Sequence, residues 1–215
     1  QEIKEAYYAT ISFVDAQVGR ILDQLEASGL DKNTIVVFTS DHGYHMGEHG
    51  HWQKTTLFEN ATRVPLVIAG PGVTEKGRVA KGLVEMVDIY PTMAELAHQK
   101  IPMQVSGVSL RPILEDVDLT VRSSALTQYN NGYSIRTNRY RYTEWGDNGS
   151  LGAELYDHES DPEELINIID QPEVKDLQME MAIQLRARIQ NARRVPTGIK
   201  QIQTASDRRV PQPNP

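Results

Sequence analysis

The feature that most limits the fold is Thr34-Ile35-Val36-Val37-Phe38-Thr39, a β-branched run with no polar alternation. Such a run reads as a strand buried on both faces, the habit of parallel sheets with helices on each side. A helical pattern precedes it. Ile3, Tyr7, Ile11, Val14, Val18, Ile21, Leu22 and Leu25 recur mostly in steps of three and four, one face of a long amphipathic helix. Ser28-Gly29 supplies the stop signal. A second strand candidate, Val64 to Ala69, ends at the turn Gly70-Pro71-Gly72. Helix, strand, loop and strand in that order argue for an α/β layer architecture.

Leu83 to Ala97 returns to helical spacing, with Asp88 near a helix start and Pro91 in its first turn. Gly107 to Pro112 reads as loop. After about residue 118 the texture changes. Ser123–Tyr129 and Tyr133–Trp145 read as antiparallel strands joined by the hairpin turn Asn130-Asn131-Gly132. Leu155-Tyr156 adds a short strand, Val174 to Ile189 a final amphipathic helix, and the Pro-rich end from Val210 an unstructured tail. The expected organisation is residues 1–118 as part of an α/β sheet domain and 119–190 as a small α+β subdomain with an antiparallel sheet. Residues 191–215 would form a basic, Pro-containing tail.

Several function classes fall away. No apolar run approaches the ~20 residues that cross a bilayer, so no membrane span is expected. A 39% hydrophobic share beside 24% charged residues belongs to a globular chain rather than a disordered one. With no cysteine, these residues hold no disulfide, thiolate metal site or cysteine nucleophile. A net charge of −7 argues against nucleic acid as a partner. Residues 181–215 are basic (Arg186, Arg188, Arg193, Arg194, Lys200, Arg208 and Arg209 against Asp207). A solvated terminal helix and its extension explains them better than an anionic partner. The chain opens on Gln1 and runs directly into helical sequence, which creates the expectation of further sequence upstream.

The chemistry gathers in Ser40-Asp41-His42-Gly43-Tyr44-His45-Met46-Gly47-Glu48-His49-Gly50-His51-Trp52-Gln53-Lys54, which holds four of the six histidines. It follows a strand end, where open α/β sheets bind their ligands. Gly43, Gly47 and Gly50 allow tight turns and close backbone approach. Asp41 and His42 offer a carboxylate and an imidazole to a metal, although two adjacent residues cannot fill a coordination sphere. His45-Met46-Gly47-Glu48-His49 matches the inverted zinc-peptidase signature H-x-x-E-H. That chemistry requires a helix, which the glycines oppose at about 1 kcal/mol each. Lys54 beside a metal makes sense when a tetrahedral oxyanion lies between them.

Ser40-Asp41-His42-Gly43 through Lys54, with Thr62-Arg63-Val64-Pro65-Leu66, resembles the C-terminal half of the sulfatase family. The nearest likeness is to iduronate-2-sulfatase-like and choline-sulfatase-like members. Val87 to Thr92, Gly107 to Leu110, Ile135 to Tyr142, Glu154 to Asp157 and Asp161-Pro162-Glu163-Glu164 extend the resemblance over roughly residues 5–190. It implies an alkaline-phosphatase-like mixed α/β sheet domain with a smaller C-terminal sheet packed on it. It implies hydrolysis of a sulfate ester by a formylglycine nucleophile beside calcium, with Mg2+, Mn2+ or Zn2+ as alternatives. On this resemblance Asp41 and His42 are metal ligands and Lys54 contacts the sulfate. His45 and His49 face the substrate pocket, either one able to protonate the leaving alcohol, and Arg63 is structural or lines the pocket wall.

The nucleophile motifs C-x-P-x-R and S-x-P-x-R occur nowhere in the chain, and the family's pair of aspartates on the first strand is missing too. The expectation is a fragment or processed subunit, inactive alone, whose partner is the N-terminal half of the same enzyme. The substrate would be a sulfated carbohydrate or small molecule, and the family habit is periplasmic or secreted. Two rivals stand beside this reading. One is a phosphatase, phosphodiesterase or phosphonate hydrolase of the same superfamily; the other is a noncatalytic domain that has kept the sheet.

Overall fold

The apolar stripe of residues 3–25 forms one long helix, α1 (Glu2–Ala27), closed by Gly29 at φ 69°, a backbone angle that glycine adopts without strain. The structure is a computed structural model that describes residues 2–196 and 198; the tail expected from Val210 lies outside them. Strand β1 (Val36–Thr39) follows, then two short strands, β2 (His45–Met46) and β3 (Trp52–Gln53), and a one-turn helix, α2 (Glu59–Thr62). Strand β4 (Leu66–Ala69) pairs with β1 in antiparallel register, Val36 opposite Ala69 and Thr39 opposite Leu66.

That pairing departs from the expected parallel habit. Phe38 and Val67 are cross-strand partners on one face, and they stay 44% and 55% exposed. α1 buries none of its residues, and Ile3, Ile11, Val14, Ile21 and Leu22 of its apolar stripe all remain exposed. The sequence correctly marks these surfaces as apolar. Among the described residues nothing covers them.

The helical stretch expected from Leu83 to Ala97 begins only at Met86. A 3-10 turn over Met86–Asp88 leads into α3 (Ile89–Leu96), with Pro91 in its first turn. The stretch read as loop up to Pro112 instead opens a short helix, α4 (Arg111–Glu115), because Pro112 sits in its first turn, where a missing N–H costs nothing.

The C-terminal subdomain is a four-stranded antiparallel meander of β5 (Ala125–Tyr129), β6 (Gly132–Arg136), β7 (Tyr140–Trp145) and β8 (Gly152–Asp157), crossed by α5 (Lys175–Ala192). The run read as one strand from Tyr133 to Trp145 is two. A turn closed by Thr137, whose N–H bonds Tyr140 O at 2.8 Å and whose hydroxyl accepts the Tyr140 N–H at 2.9 Å, divides it. The short strand at Leu155-Tyr156 is longer than expected.

Both faces of this sheet are used, as period-two alternation requires. One face carries Ile135, Tyr142 and Leu155, aligned in register, against Met181, Ala182 and Leu185 of α5. Full burial of such aliphatic side chains is worth roughly 1.5–3 kcal/mol each. The other face carries Ser134, Arg141, Thr143 and Tyr156 and packs on the segment around α2. The site-bearing half therefore rests on a polar sheet face. The basic residues of α5 and of its C-cap serve the same assembly: Arg186 pairs with Glu144, Arg188 with Glu85, and the C-cap Arg193 lies over Tyr133.

Candidate active site

The loop leaving β1 turns back at once, because it packs against α2. The Gly43 N–H donates to Ala61 O at 2.8 Å, and a Cβ on Gly43 would lie 1.9 Å from Asn60 O. Only glycine allows that approach. The turn leaves Asp41 and His42 side by side at the carboxyl end of the strand. Asp41 Oδ1 accepts the His42 N–H at 3.1 Å, and its Oδ2 lies 3.4 Å from His42 Nε2.

Hydrogen bonding sets the His42 tautomer. Nδ1 lies 2.7 Å from Gly43 O, a pure acceptor, so Nδ1 carries the proton. Nε2 therefore presents a lone pair, and the Lys54 ammonium sits on it at 2.6 Å. Lys54 follows β3, which runs back beside β2 with His45 opposite Gln53, and so returns to the start of the loop. The imidazole lone pair thus holds the ammonium ion, with a carboxylate oxygen of Asp41 3.4 Å from the same nitrogen. Asp41, with its side chain 83% exposed, keeps room for further ligands.

This donor pair fits a divalent cation. It supplies two positions and leaves the others to groups outside the pair; calcium takes 6–8 oxygen ligands. A divalent cation on His42 Nε2 would expel the Lys54 ammonium from that nitrogen and leave it free to meet an anion.

The other two candidate histidines are placed differently. His45 does not face a pocket. It is completely buried, with Nε2 2.6 Å from the Thr56 hydroxyl and edge-on contacts to His49, His51 and Phe58. Burial, and then the neighbouring His49 and His51, push its pKa below the usual histidine value. The ring faces inward because β2 is a strand here, and the segment that matches H-x-x-E-H forms only a kinked 3-10 turn at Glu48–Gly50, never an α-helix. Gly47 has φ 112° and His49 φ 53°, so the two rings do not share a helical face towards zinc. His49 is half-buried and stacks flat on Phe58 at 3.8 Å, and its Nε2 has no hydrogen-bond partner. Glu48 turns back to accept the Met46 N–H, which holds its carboxyl below the usual range.

One cluster carries no sequence motif for metal yet has the composition of a metal site: Glu59, His158 and Glu164 bring ligand atoms within 4.8 Å of one another. Its oxygens are already engaged. Arg141 donates to both Glu164 and Glu59, Arg136 lies 3.5 Å from Glu59, and His158 Nε2 meets Glu164 at 2.7 Å. Two arginines make this a buried ion network, not a cation site. Burial pushes the Glu164 carboxyl up, but His158, Arg141 and the Glu59 N–H more than reverse it, leaving it lowered. Sequence reading missed the network because its members lie 82 and 105 residues apart. The available signal was charge inside a strand, Arg139-Tyr140-Arg141-Tyr142.

Residues 1–99 match the family model described as Sulfatase. A protein described as a sulfatase from Formosa agariphila is 40% identical over 168 residues, covering 78% of this chain and 32% of that protein. Arylsulfatase K of Gallus gallus is 35% identical over 181 residues, covering 78% of this chain and 34% of that protein. The chain thus spans about a third of the length of these curated relatives. Among solved structures, a protein in complex with its substrate D-glucosamine-2-N,6-O-disulfate superposes with TM-score 0.77 at 31% identity, covering 83% of this chain and 38% of that one. A phosphonate monoester hydrolase of Agrobacterium radiobacter gives TM-score 0.77 at 29% identity, covering 86% of this chain and 41% of that one. The mixed α/β fold with its antiparallel sheet is that of the C-terminal portion of a sulfatase domain.

Proposed function

We propose, for a chain related to sulfatases through residues 1–99 and matched to their fold, that it supplies the metal- and anion-holding part of a sulfuric ester hydrolase. The observation that carries this reading is the convergence of Lys54 Nζ on His42 Nε2 at 2.6 Å, with Asp41 Oδ2 3.4 Å from the same nitrogen. Asp41 and His42 would hold calcium, which when bound would polarise the sulfate oxygens. Lys54 binds and orients the ester's sulfate group as a point charge. His49, the less buried of the two histidines, is the one this reading gives the proton for the leaving alcohol. His45 holds the loop in shape from within. The nucleophile, a formylglycine, lies outside these residues.

The uncovered apolar faces of α1, β1 and β4 support a partner on that side, and the reading assigns it to the N-terminal half of the same enzyme. A sulfated sugar is the proposed substrate class, supported by the disulfated glucosamine bound by a relative in fold. The finer iduronate-2-sulfatase-like or choline-sulfatase-like assignment rests on the Ser40 to Lys54 motif alone. Chelation of the complete enzyme followed by metal add-back tests the metal: calcium restores turnover of a sulfate ester, and restoration by zinc but not calcium sinks that choice. The 215 residues alone are expected to hydrolyse no aryl sulfate, and measurable turnover would contradict the placement of the nucleophile elsewhere.

A second reading follows from the phosphonate monoester hydrolase that shares the fold. Metal plus lysine suits any tetrahedral oxyanion. Comparison of kcat/KM on an aryl sulfate and on a phosphonate monoester separates the two, and preference for the phosphonate favours the second.

A further inference from the structure

The C-terminal subdomain meets the candidate site through α2. Helix α2 is four residues long, far below the length at which a helix stands alone in water, so something else must hold it. Its first N–H, that of Glu59, is accepted at 2.7 Å by Glu164 Oε2, 105 residues away. A distant carboxylate thus does what an N-cap residue does locally. Arg141, from β7, closes the arrangement. Its Nε donates to Glu164, and its Nη2 donates to the Glu59 carboxylate and, at 3.0 Å, to the Thr62 hydroxyl at the other end of α2.

What α2 holds in turn is the loop. Ala61 O takes the Gly43 N–H, and Asn60 O packs against the Gly43 Cα. Gly43 is the residue that follows Asp41 and His42. Glu164 itself is held at φ 58° and is completely buried. That left-handed backbone is uncommon for a side chain larger than Asn or Asp, and persists only where its surroundings demand it.

We propose that Glu164 and Arg141 are positioning residues for the Asp41–His42 loop, acting through α2. The proposal takes from the functional reading only the role of Asp41 and His42 as ligands. It gives the Arg139 to Tyr142 and Asp161 to Glu164 segments a task at the site: the C-terminal subdomain fixes where the ligand pair stands.

Amide hydrogen exchange on the complete enzyme, with no metal added, tests this, comparing the parent with Glu164→Gln, Arg141→Lys and the control Arg139→Gln, whose pair with Asp157 lies off the path. The expected result is that Glu164→Gln and Arg141→Lys lower protection of the Gly43 and Thr62 amides by about tenfold or more, as local opening does. The amide of Ile135, inside the sheet, keeps its protection, and the control changes none of these. Unchanged Gly43 protection in both variants overturns the proposal, as does loss in the sheet with Gly43 spared. If Glu164→Gln fails to fold, Thr62→Val, which removes one Arg141 partner, is read the same way. The measurement uses no metal, so its outcome is distinct from that of a calcium titration, whose failure would overturn only the ligand role of Asp41 and His42.

Discussion

The buried carboxylate of Asp88 receives both arms of the Arg122 guanidinium, Nε on Oδ2 at 2.7 Å and Nη2 on Oδ1. It also accepts the N–H groups of Val108 and Glu85, each at 2.8 Å. Arg122 reaches on to Glu85 at 3.2 Å, and Glu85 takes Arg188 of α5 and the Leu126 N–H of β5. One acid thus ties the start of α3 to the 107–110 turn and, through Arg122 and Glu85, to the C-terminal subdomain. The turn fits because Gly107 lies against Val87 O, where a Cβ would come within 1.9 Å.

Arg122→Ala leaves this carboxylate buried without its counter-ion, and Asp88→Ala strands the guanidinium and two amides. Breaking a buried pair from one side costs about 3–5 kcal/mol. Urea denaturation of each variant should show a fall of that order. A loss below about 1 kcal/mol would mean that the junction carries little of the stability.

Acid should weaken the fold in two steps. Burial pushes Asp88 up, but Arg122 and the two N–H groups reverse it, so the folded carboxyl lies below its ordinary value; Glu164 is lowered likewise. Such groups stabilise the fold above the unfolded carboxylate pKa of about 4 and lose that contribution as pH falls through their folded values. His45, lowered mainly by burial, acts earlier. The unfolded chain binds a proton near pH 6.5 that the folded chain refuses, so stability begins to fall below that pH. Denaturation midpoints from pH 7.5 to 3 should show both slopes. His45→Gln, which keeps a partner for Thr56, should flatten only the upper one.

What could be read from the sequence was what is local. α1 and α5 follow from periodicity, and the β5–β6 hairpin from Asn130-Asn131-Gly132. The strand content of Thr34–Thr39 was equally plain, but hydrophobicity does not name a partner, and β1 pairs antiparallel with Phe38 outward. Lys54 meets His42, the neighbour of Asp41, because glycine turns and a short hairpin fold twelve residues back on themselves, which the composition of the loop announces. The inward turn of His45 was hidden, since Thr56 and Phe58 decide it. The Glu59–Arg141–Glu164 network was hidden more deeply, joining segments that no pattern relates.

Gly43→Ala tests the close approach to α2. A methyl group 1.9 Å from Asn60 O must push the loop off the helix, and overpacking of this kind typically costs about 1–3 kcal/mol. The displaced loop should also lose calcium-dependent thermal stabilisation in the complete enzyme. A variant with the parent's melting temperature and calcium response would show that the loop relaxes freely.

Lys54 offers the sharpest functional test, because it is exposed and its loss should leave the fold intact. If it holds the sulfate, Lys54→Ala in the complete enzyme removes a charged contact at a site where charge is handled in the transition state. Single donors of that kind are worth about 10²–10³ in rate. Lys54→Arg keeps the charge but spreads it over a planar fork that does not match the ammonium, so it should recover only part of the loss. The assay is kcat/KM on an aryl sulfate, with the melting temperature of each variant checked against the parent. Lys54→Ala activity within threefold of the parent would place the anion elsewhere and leave Lys54 as a surface partner of His42.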